Sequence, residues 1–470
     1  MSLIDDLRAA LGDGGLLVGE DCAPWSRDWN GMYFWTPLCV ARPANTAEVA
    51  AVMRLAHASD TPVVPVSGNT SLAGGTKGEG SIMLSLDRMN AIREVRPEAR
   101  LAVVEAGVIM SDLHAAAEAK GLSFPMTFGA KGSARVGGFL STNAGGSNVL
   151  RYGNTRDLVL GIEVVMPDGR VMDLMSELHK DNSGLNLKHL MIGAEGTLGV
   201  ITAAVVKLVP TPGAYATATV ATQTLEDALV LLNRLQEATG GAVEAFEYMC
   251  ERHMEIYQTE LYPQKRWPFA EPHPVTILVE VGATAPRDVQ PAEDGQVPVV
   301  AYLEEVLAGL MEEDMVLDAV VARSEAQRRE MWERREAAAE VSLTRKPLVI
   351  TDVAVGLDKV PEFLSRFRVR LPKVDPGADG TVVSHLGDGN VHYTVWPSSD
   401  DPALLDAVME AAEDEALALG GSFSAEHGIG LSKRNAMARR KDKVAVATMK
   451  AIKAALDPKN ILNPGKVFPD

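Results

Sequence analysis

VPVSGNTSLAGGT, residues 64–76, follows an apolar run at 62–66 that reads as a short strand ending in Val66. Ser67, Gly68, Asn69, Thr70 and Ser71 come next, then two apolar residues, then Gly74 and Gly75. The glycines let the backbone curl and approach a ligand closely, and the hydroxyls and Asn69 add side-chain donors. Successive N–H groups in such a curl form a concave anion site, for which a pyrophosphate is the natural guest. For one such loop alone, a polar surface turn is the alternative. The loop matches neither GxGxxG nor GxxxxGK[ST], so neither a Rossmann nor a P-loop assignment follows.

A second glycine-rich stretch raises the value of the first. Residues 124–146, FPMTFGAKGSARVGGFLSTNAGG, hold Gly129, Gly132, Gly137, Gly138, Gly145 and Gly146. Few side chains remain there to pack a core, so its backbone is expected to line something. A third group places Gly193, Gly196 and Gly199 around Glu195.

At 470 residues and 46% hydrophobic content the chain can bury large cores in two or three domains. Its net charge of −18 argues against nucleic acid and anionic membrane partners. Cys22, Cys39 and Cys250 are scattered and form neither a disulfide framework nor a thiolate metal motif, which fits a reducing compartment. MSLIDDLRAALGDGG at the start is acidic and amphipathic, unlike a signal or transit peptide. No apolar run reaches the roughly 18 residues of a membrane span. A soluble, cytoplasmic protein is expected.

In chain order, residues 2–11 read as a helix, and Trp25, Trp29, Tyr33, Phe34 and Trp35 form an aromatic group that suits core or interface. Residues 43–57 read as a helix capped by Thr46 and 81–86 as a strand, giving a small α/β unit. Residues 101–105 are a strand, 111–120 a helix capped by Ser111, and 157–165 with 170–175 a hairpin through Pro167-Asp168-Gly169. A strand at 200–208 precedes Pro210-Thr211-Pro212-Gly213, a domain boundary. Beyond it, strands at 214–222, 275–281, 348–355, 381–386 and 391–396 alternate with helices at 224–239, 299–313, 324–339, 360–370 and 401–419. This predicts an α+β domain with one antiparallel sheet covered by helices on one face. A further helix runs through Lys453.

SHLGDGNVH (384–392) and AEHGIGLSK (425–433) supply a second constellation. His385 and His392 are seven apart, which on a straight strand places them on opposite faces. Gly387-Asp388-Gly389 interrupts the strand, and a turn there brings both imidazoles to one side. With Glu426 they make a donor set common for zinc, manganese or iron with open positions, and His427 is left for proton transfer. A hydrogen-bonded polar core is the alternative for spacing alone. A pyrophosphate site and a metal-type site with a spare base are both explained by a flavin dinucleotide and metal-assisted alcohol oxidation.

PVSGNTSLAGGT, GGFLSTNAGGSNVLRYGNTRDLVLGIEVVMPDGRV, KDNSGLNLKHLMIGAEGTLGVIT, HLGDGNVHYTV, EHGIG and DPKNILNPGKVF together resemble, in order and over nearly the whole chain, the FAD-binding type 4 oxidoreductases. Within these vanillyl-alcohol-oxidase-like flavoproteins the chain looks like the D-2-hydroxyacid dehydrogenases. That group includes the D-2-hydroxyglutarate and D-lactate dehydrogenases and the FAD subunit of glycolate oxidase. The resemblance implies an α+β protein. Its FAD-binding domain would span 1–212, as subdomains at about 36–97 and 98–212. A cap domain would span 213–422 and a returning segment 423–470.

Carried over by motif, Val66, Ser67, Gly68, Asn69, Thr70, Ser71 and Gly74 would hold the pyrophosphate. Pro125, Gly129, Ala130, Gly132, Ser133, Gly137, Gly138, Ser141, Thr142, Asn143, Gly145 and Gly146 would line the flavin. So would Tyr152, Gly153, Glu195, Gly196, Gly199, Ile201 and Asn463. His385, His392 and Glu426 match the metal ligands, His427 the catalytic base, and Arg335 of MWERRE the substrate-carboxylate arginine. Asn390, Thr394 and Ile350 fall on the substrate side. The FAD is expected to be noncovalent, since no His lies between His57 and His114. Zinc is the first choice of metal, and the acceptor a quinone or an electron-transfer flavoprotein, with a homodimer as a family-level expectation.

Three departures from the 2-hydroxyglutarate enzymes stand out. Glu336-Ala337-Ala338-Ala339 lacks their Thr, Ile350 replaces a Lys, and Thr394 replaces an Asn. They point toward a shorter or less charged substrate such as D-lactate, glycolate or D-malate. Two rival readings remain: a flavin-free metal hydrolase, and a non-catalytic flavin subunit of an electron-transfer complex.

Overall fold

The loop at 67–76 leaves the C-terminal end of the strand Val63–Val66, whose VVPV sequence is almost wholly buried. That strand belongs to a four-stranded sheet, ordered Leu16–Leu17, Cys39–Ala41, Ile82–Ser85, Val63–Val66, with the last two pairings parallel. The protein is described by a computed structural model over residues 2–469. It divides into two units. Unit 1 holds residues 1–145, 153–211 and 426–470, and unit 2 holds 146–152 and 212–425.

In unit 1 the helix Thr46–Ala58 buries Val49, Val52, Met53 and Ala56 over the first sheet. Asn45, not Thr46, caps it, accepting from the Glu48 amide at 3.0 Å. A cap must be the last non-helical residue, and Thr46 is already helical. The second sheet is antiparallel: Ile92–Arg96, Leu101–Glu105, Val200–Lys207, Val159–Val165, Val171–Leu174. Its hairpin turns at Gly169, φ +82°. Ser111 does not cap the next helix, Met110–Glu118, which starts one residue earlier behind Ile109 without a side-chain cap. In the aromatic group Trp35 is buried and the Tyr33 ring lies against Gly74, whereas Trp29 and Phe34 are exposed.

Unit 2 is built on an eight-stranded antiparallel sheet. The order is Asp318–Val321, Ala214–Thr222, Val275–Ala283, Val243–Cys250, Asp379–His385, Asn390–Trp396, and then the short Val349–Ile350 and Val353–Ala354. Period-2 alternation sorts its residues. Ala218, Val220, Phe246, Tyr248, Ile277, Val279, Val391 and Tyr393 face one core. Leu225–Thr239, Pro298–Glu312, Val360–Val374 and Pro402–Ala418 cover it.

The expectation of helices on one face is incorrect. Met249, Leu278 and Val383 point the other way and meet Met254 and Met331. The helices Glu251–Ile256, Glu325–Glu336 and Ala338–Ser342 carry that second layer. The strand Val243–Cys250, unread in the sequence, is buried throughout. The single helix expected over 324–339 breaks at Ala337. The strand expected over 348–355 is two two-residue pieces.

The tail is tied to the first sheet of unit 1: Val63 N donates to Ile461 O at 2.7 Å, and Asn463 N to Val63 O at 2.8 Å. Lys453, almost buried, secures it by donating to Thr197 O, Leu462 O and the fully buried Asp457 carboxylate. Removing one member of a buried ion pair strands the other charge. Lys453→Met is therefore expected to destabilise the protein by about 3–5 kcal/mol in urea unfolding. A midpoint equal to that of the wild type would show that the tail is held by other contacts.

Candidate functional site

The two glycine stretches meet in unit 1. A Cβ at Gly68 would lie 2.4 Å from Ser133 O, and one at Gly138 would lie 3.3 Å from Ser67 Cβ. At Gly68 only glycine permits that approach. Gly129 and Gly132 instead face open space, with nothing within 4 Å of a Cβ built there. Asn69 sits at φ +50°, its amide donating to Arg27 O at 3.0 Å and its oxygen accepting from Thr76 Oγ1 at 2.8 Å. Its side chain shapes the curl.

Other residues carried over by motif have structural work in unit 1. Ser141 and Thr142 donate back to Gly137 O and Gly138 O of their own helix. Asn143 caps that helix at φ +51° and accepts from Arg156 N at 2.9 Å. At Gly196 and Gly199, Pro65 and Val164 crowd the space a Cβ would need, and Ile201 is buried in its strand. Val66 and Pro125 are buried.

Glu195 joins the pieces of unit 1. At φ +51°, its N–H donates to Ser141 O at 2.8 Å, and its carbonyl accepts from Asn463 Nδ2 at 2.8 Å. Its carboxylate accepts from the amides of Ile429 (2.7 Å) and Gly430 (2.8 Å). Burial pushes its pKa up, and the two amides only partly offset this. Gly428 and Gly430 let EHGIG turn over it: a Cβ would fall 2.8 Å from Glu195 Oε1 at the first and 2.2 Å from Ala73 O at the second. Glu426 and His427 immediately precede this turn. Asn463 Nδ2 also donates to Gly75 O, while its Oδ1 is buried without a hydrogen-bond partner among the described residues.

Unit 2 carries the histidine pair. In the hairpin, His385 opposes Asn390 and Val383 opposes His392. Directly opposed residues share a face, so His385 and His392 are diagonal neighbours on one side of the sheet. Their ring centroids are 5.5 Å apart and the rings nearly perpendicular. The turn needs Gly389 at φ +83°, because a Cβ there would meet Val355 O at 2.1 Å. Burial pushes the turn residue Asp388 up to about 6.

Glu247, not singled out in the sequence, lies opposite His385 in register on Val243–Cys250. Its Oε1 is 2.9 Å from His385 Nδ1 and its Oε2 is 2.8 Å from Arg335 Nε. The second contact is an ion pair whose N–H points off the line of centres, so neither atom completes a hydrogen bond there. Burial opposes ionisation of Glu247. The Arg335 guanidinium and the His385 imidazole beside it outweigh this and hold the carboxyl at about 2. Arg335 is 8% exposed, and its Nη2 has no hydrogen-bond partner among the described residues.

The other residues expected from the sequence on the substrate side are partly committed. Thr394 Oγ1 shares a 2.7 Å hydrogen bond with Ser342. Asn390 Nδ2 donates to Val353 O at 3.0 Å. Ile350 opposes Thr394, hence lies on the histidine face, and is 40% exposed. Arg345 is bound to Glu260 at 2.6 Å and stacked on Trp396. Gly146 and Tyr152 lie in unit 2, where the Tyr152 hydroxyl donates to Glu244 at 2.6 Å beside Arg151. Asp352 is buried and its main-chain oxygen accepts from Ala425 N at 3.1 Å.

Residues 211–467 match the family described as FAD linked oxidases, C-terminal domain, and residues 37–175 match the FAD binding domain. The D-2-hydroxyglutarate dehydrogenase of Xanthomonas citri pv. viticola is 35% identical over 95% of this chain and 93% of its own length. That of Stutzerimonas stutzeri is 31% identical over 99% of both. The mitochondrial D-2-hydroxyglutarate dehydrogenase of Bos taurus is 34% identical over 96% of this chain and 80% of its own. Among solved structures, p-cresol methylhydroxylase with substrate bound has a TM-score of 0.76 at 16% identity, covering 100% of this chain and 96% of that one.

Glu195→Gln replaces one acceptor with an NH2 group facing an amide donor, leaving a buried N–H unpaired. It is expected to cost about 1–3 kcal/mol and to speed hydrogen exchange at the amides of 429 and 430. Unchanged melting together with unchanged exchange there would show that the carboxylate does not hold the turn.

Proposed function

Because the chain belongs to the FAD-linked oxidase family, we propose that it is an FAD-dependent dehydrogenase that oxidises a D-2-hydroxyacid to the 2-oxoacid, aided by a divalent metal ion. The observation that carries this reading is the buried Arg335, with an unpartnered Nη2, held by the same carboxylate as His385. A buried guanidinium with an open donor suits a carboxylate, and a neighbouring imidazole pair suits an ion that binds an α-hydroxyl.

Both groups fit the residues present. The open backbone at Gly129 and Gly132 and the close approach of Gly68 to Ser133 suit a dinucleotide lying on glycine-walled main chain. On this reading the residues named above by motif in unit 1 hold noncovalent FAD, and 146–152 with 212–425 form the cap. His385 and His392 with Glu426 hold the ion. Supporting Glu426 in that role, Ala425 directly before it is fixed to Asp352. FAD supplies a two-electron acceptor and the ion a Lewis acid that lowers the hydroxyl pKa.

The chain's own groups do the rest. Arg335 binds and orients the carboxylate. The imidazole of His427 takes the hydroxyl proton as the Cα hydrogen leaves with its electron pair and the carbonyl forms. Zinc is the preferred ion, and a quinone or electron-transfer flavoprotein the acceptor, in a cytoplasmic homodimer. Three buried free cysteines support a reducing setting, and among the described residues no helix is long and apolar enough to cross a membrane.

Chelation is expected to abolish turnover while the flavin absorbance stays with the protein, and zinc or manganese is expected to restore it. Full activity in enzyme shown by elemental analysis to be metal-free would remove the ion from the reaction.

The substrate tail is read by fewer charges than a distal carboxylate would need. Arg345 is committed to Glu260, Thr394 to Ser342, and Ile350 presents an apolar side chain. Each missing charge-assisted hydrogen bond costs about 1.5–3 kcal/mol. Across an anaerobic flavin-bleaching panel, D-lactate, D-malate, glycolate or D-2-hydroxyisocaproate is expected to rival D-2-hydroxyglutarate, and Ile350→Lys to shift kcat/KM toward the last. A wild-type preference for D-2-hydroxyglutarate of ~100-fold, about 2.7 kcal/mol, would mean that another residue clamps the distal carboxylate.

A further inference from the structure

The strand Val243–Cys250 delivers a single carboxylate, 1% exposed, to two functional neighbours at once. We propose that Glu247 is a positioning residue that sets the tautomer of His385 with one oxygen and the aim of Arg335 with the other. The inference rests on His385 as a metal ligand and Arg335 as the substrate-carboxylate ligand.

An ionised carboxylate only accepts hydrogen bonds. The proton in the 2.9 Å contact with Glu247 Oε1 therefore sits on Nδ1 of His385. The lone pair is then on Nε2, the nitrogen presented for coordination. A carboxylate behind an imidazole also raises its basicity and fixes the ring plane. The other oxygen, 2.8 Å from Arg335 Nε, occupies the inner edge of the guanidinium. That leaves the buried Nη2 as the open donor.

Both partners are anchored where they need to be. His385 faces Glu247 in strand register, so their spacing is set by sheet geometry. Arg335 stands on Glu325–Glu336, where the carbonyl of Arg334 accepts from His253 Nε2 at 2.8 Å and fixes the last turn. A purely structural ion pair would affect stability alone, whereas a positioning role must also appear in metal affinity and in KM.

The test compares FAD-loaded wild type, Glu247→Ala and Glu247→Gln. Zinc affinity is measured by competition with a chromophoric chelator, and KM and kcat with the best hydroxyacid of the panel at saturating zinc. Glu247→Ala is expected to weaken zinc by about 10–100-fold, with the flavin spectrum retained. In Glu247→Gln the amide oxygen still accepts from Nδ1–H, so zinc affinity stays within about threefold. The amide NH2 then opposes the N–H of Arg335, and KM rises by about tenfold with kcat little changed. If Glu247→Ala does not fold, the split between KM and zinc affinity in Glu247→Gln decides. Wild-type zinc affinity in Glu247→Ala, or wild-type KM in Glu247→Gln, overturns the inference alone. A wild type that binds no divalent ion and turns over without one overturns the metal reading and the inference with it.

Discussion

A carboxylate taken out of water must be met by donors or it will not stay ionised, and each unit of this protein is arranged around one such group. The two are met differently. Glu195 is met by neutral amides, Ile429 N and Gly430 N, and its pKa stays raised. Glu247 is met by a guanidinium and an imidazole, and its pKa is held at about 2. Amide dipoles suffice to fix main chain, so Glu195 serves as a clamp on three segments of unit 1. Full charges fix side chains, so Glu247 defines where a cation and a metal-type ligand stand.

That difference follows from where each chain segment runs. Glu195 lies in a left-handed turn, reachable only by backbone from other turns, and glycines supply that approach at 428 and 430. Glu247 lies in the middle of a sheet, where its neighbours are cross-strand side chains. The antiparallel register sets it against His385, and the hairpin sets His392 on the diagonal. Helices cover this face as well as the main core, so Glu247 is buried between two helical layers.

Much of this was legible before any coordinates. The glycine stretches announce themselves because a missing side chain is itself the signal, and the pairing of His385 with His392 follows from a turn inside a strand. The fold class, with an antiparallel sheet beyond Pro210-Thr211-Pro212-Gly213, was equally readable. Glu247 was not, because VEAFEYMC carries glutamates on both parities, at 244 and 247, which breaks the alternation by which a strand is read. Phe246, Tyr248 and Cys250 at period 2 were the signal available. The second helical layer was missed too. The strand VTILVEVGA is buried at every position, yet Thr276, Glu280 and Gly282 on one parity make it read as buried on one face only. The cap expected at Thr46 falls on Asn45 and the one expected at Ser111 on the uncapped Ile109, since a cap is defined by backbone angles that composition does not carry.

The same geometry separates what can vary from what cannot. His385, Arg335 and Glu247 share one buried network, so a change in any of them leaves a charge stranded in the others. Ile350 belongs to no such network. It occupies a two-residue strand at the margin of the sheet and is 40% exposed, so replacing it strands nothing. Thr394, though buried, is held by one neutral hydrogen bond to Ser342. The end of the site that, on the proposed reading, would meet the hydroxyl and carboxylate is thus tied down by charge pairing. The end that would read the substrate's tail is set by side chains that can be exchanged at small cost in stability. On the proposed reading, the energetic penalty for change falls mainly on the reacting end, so the tail-reading end is the one a substitution can alter without loss of the fold.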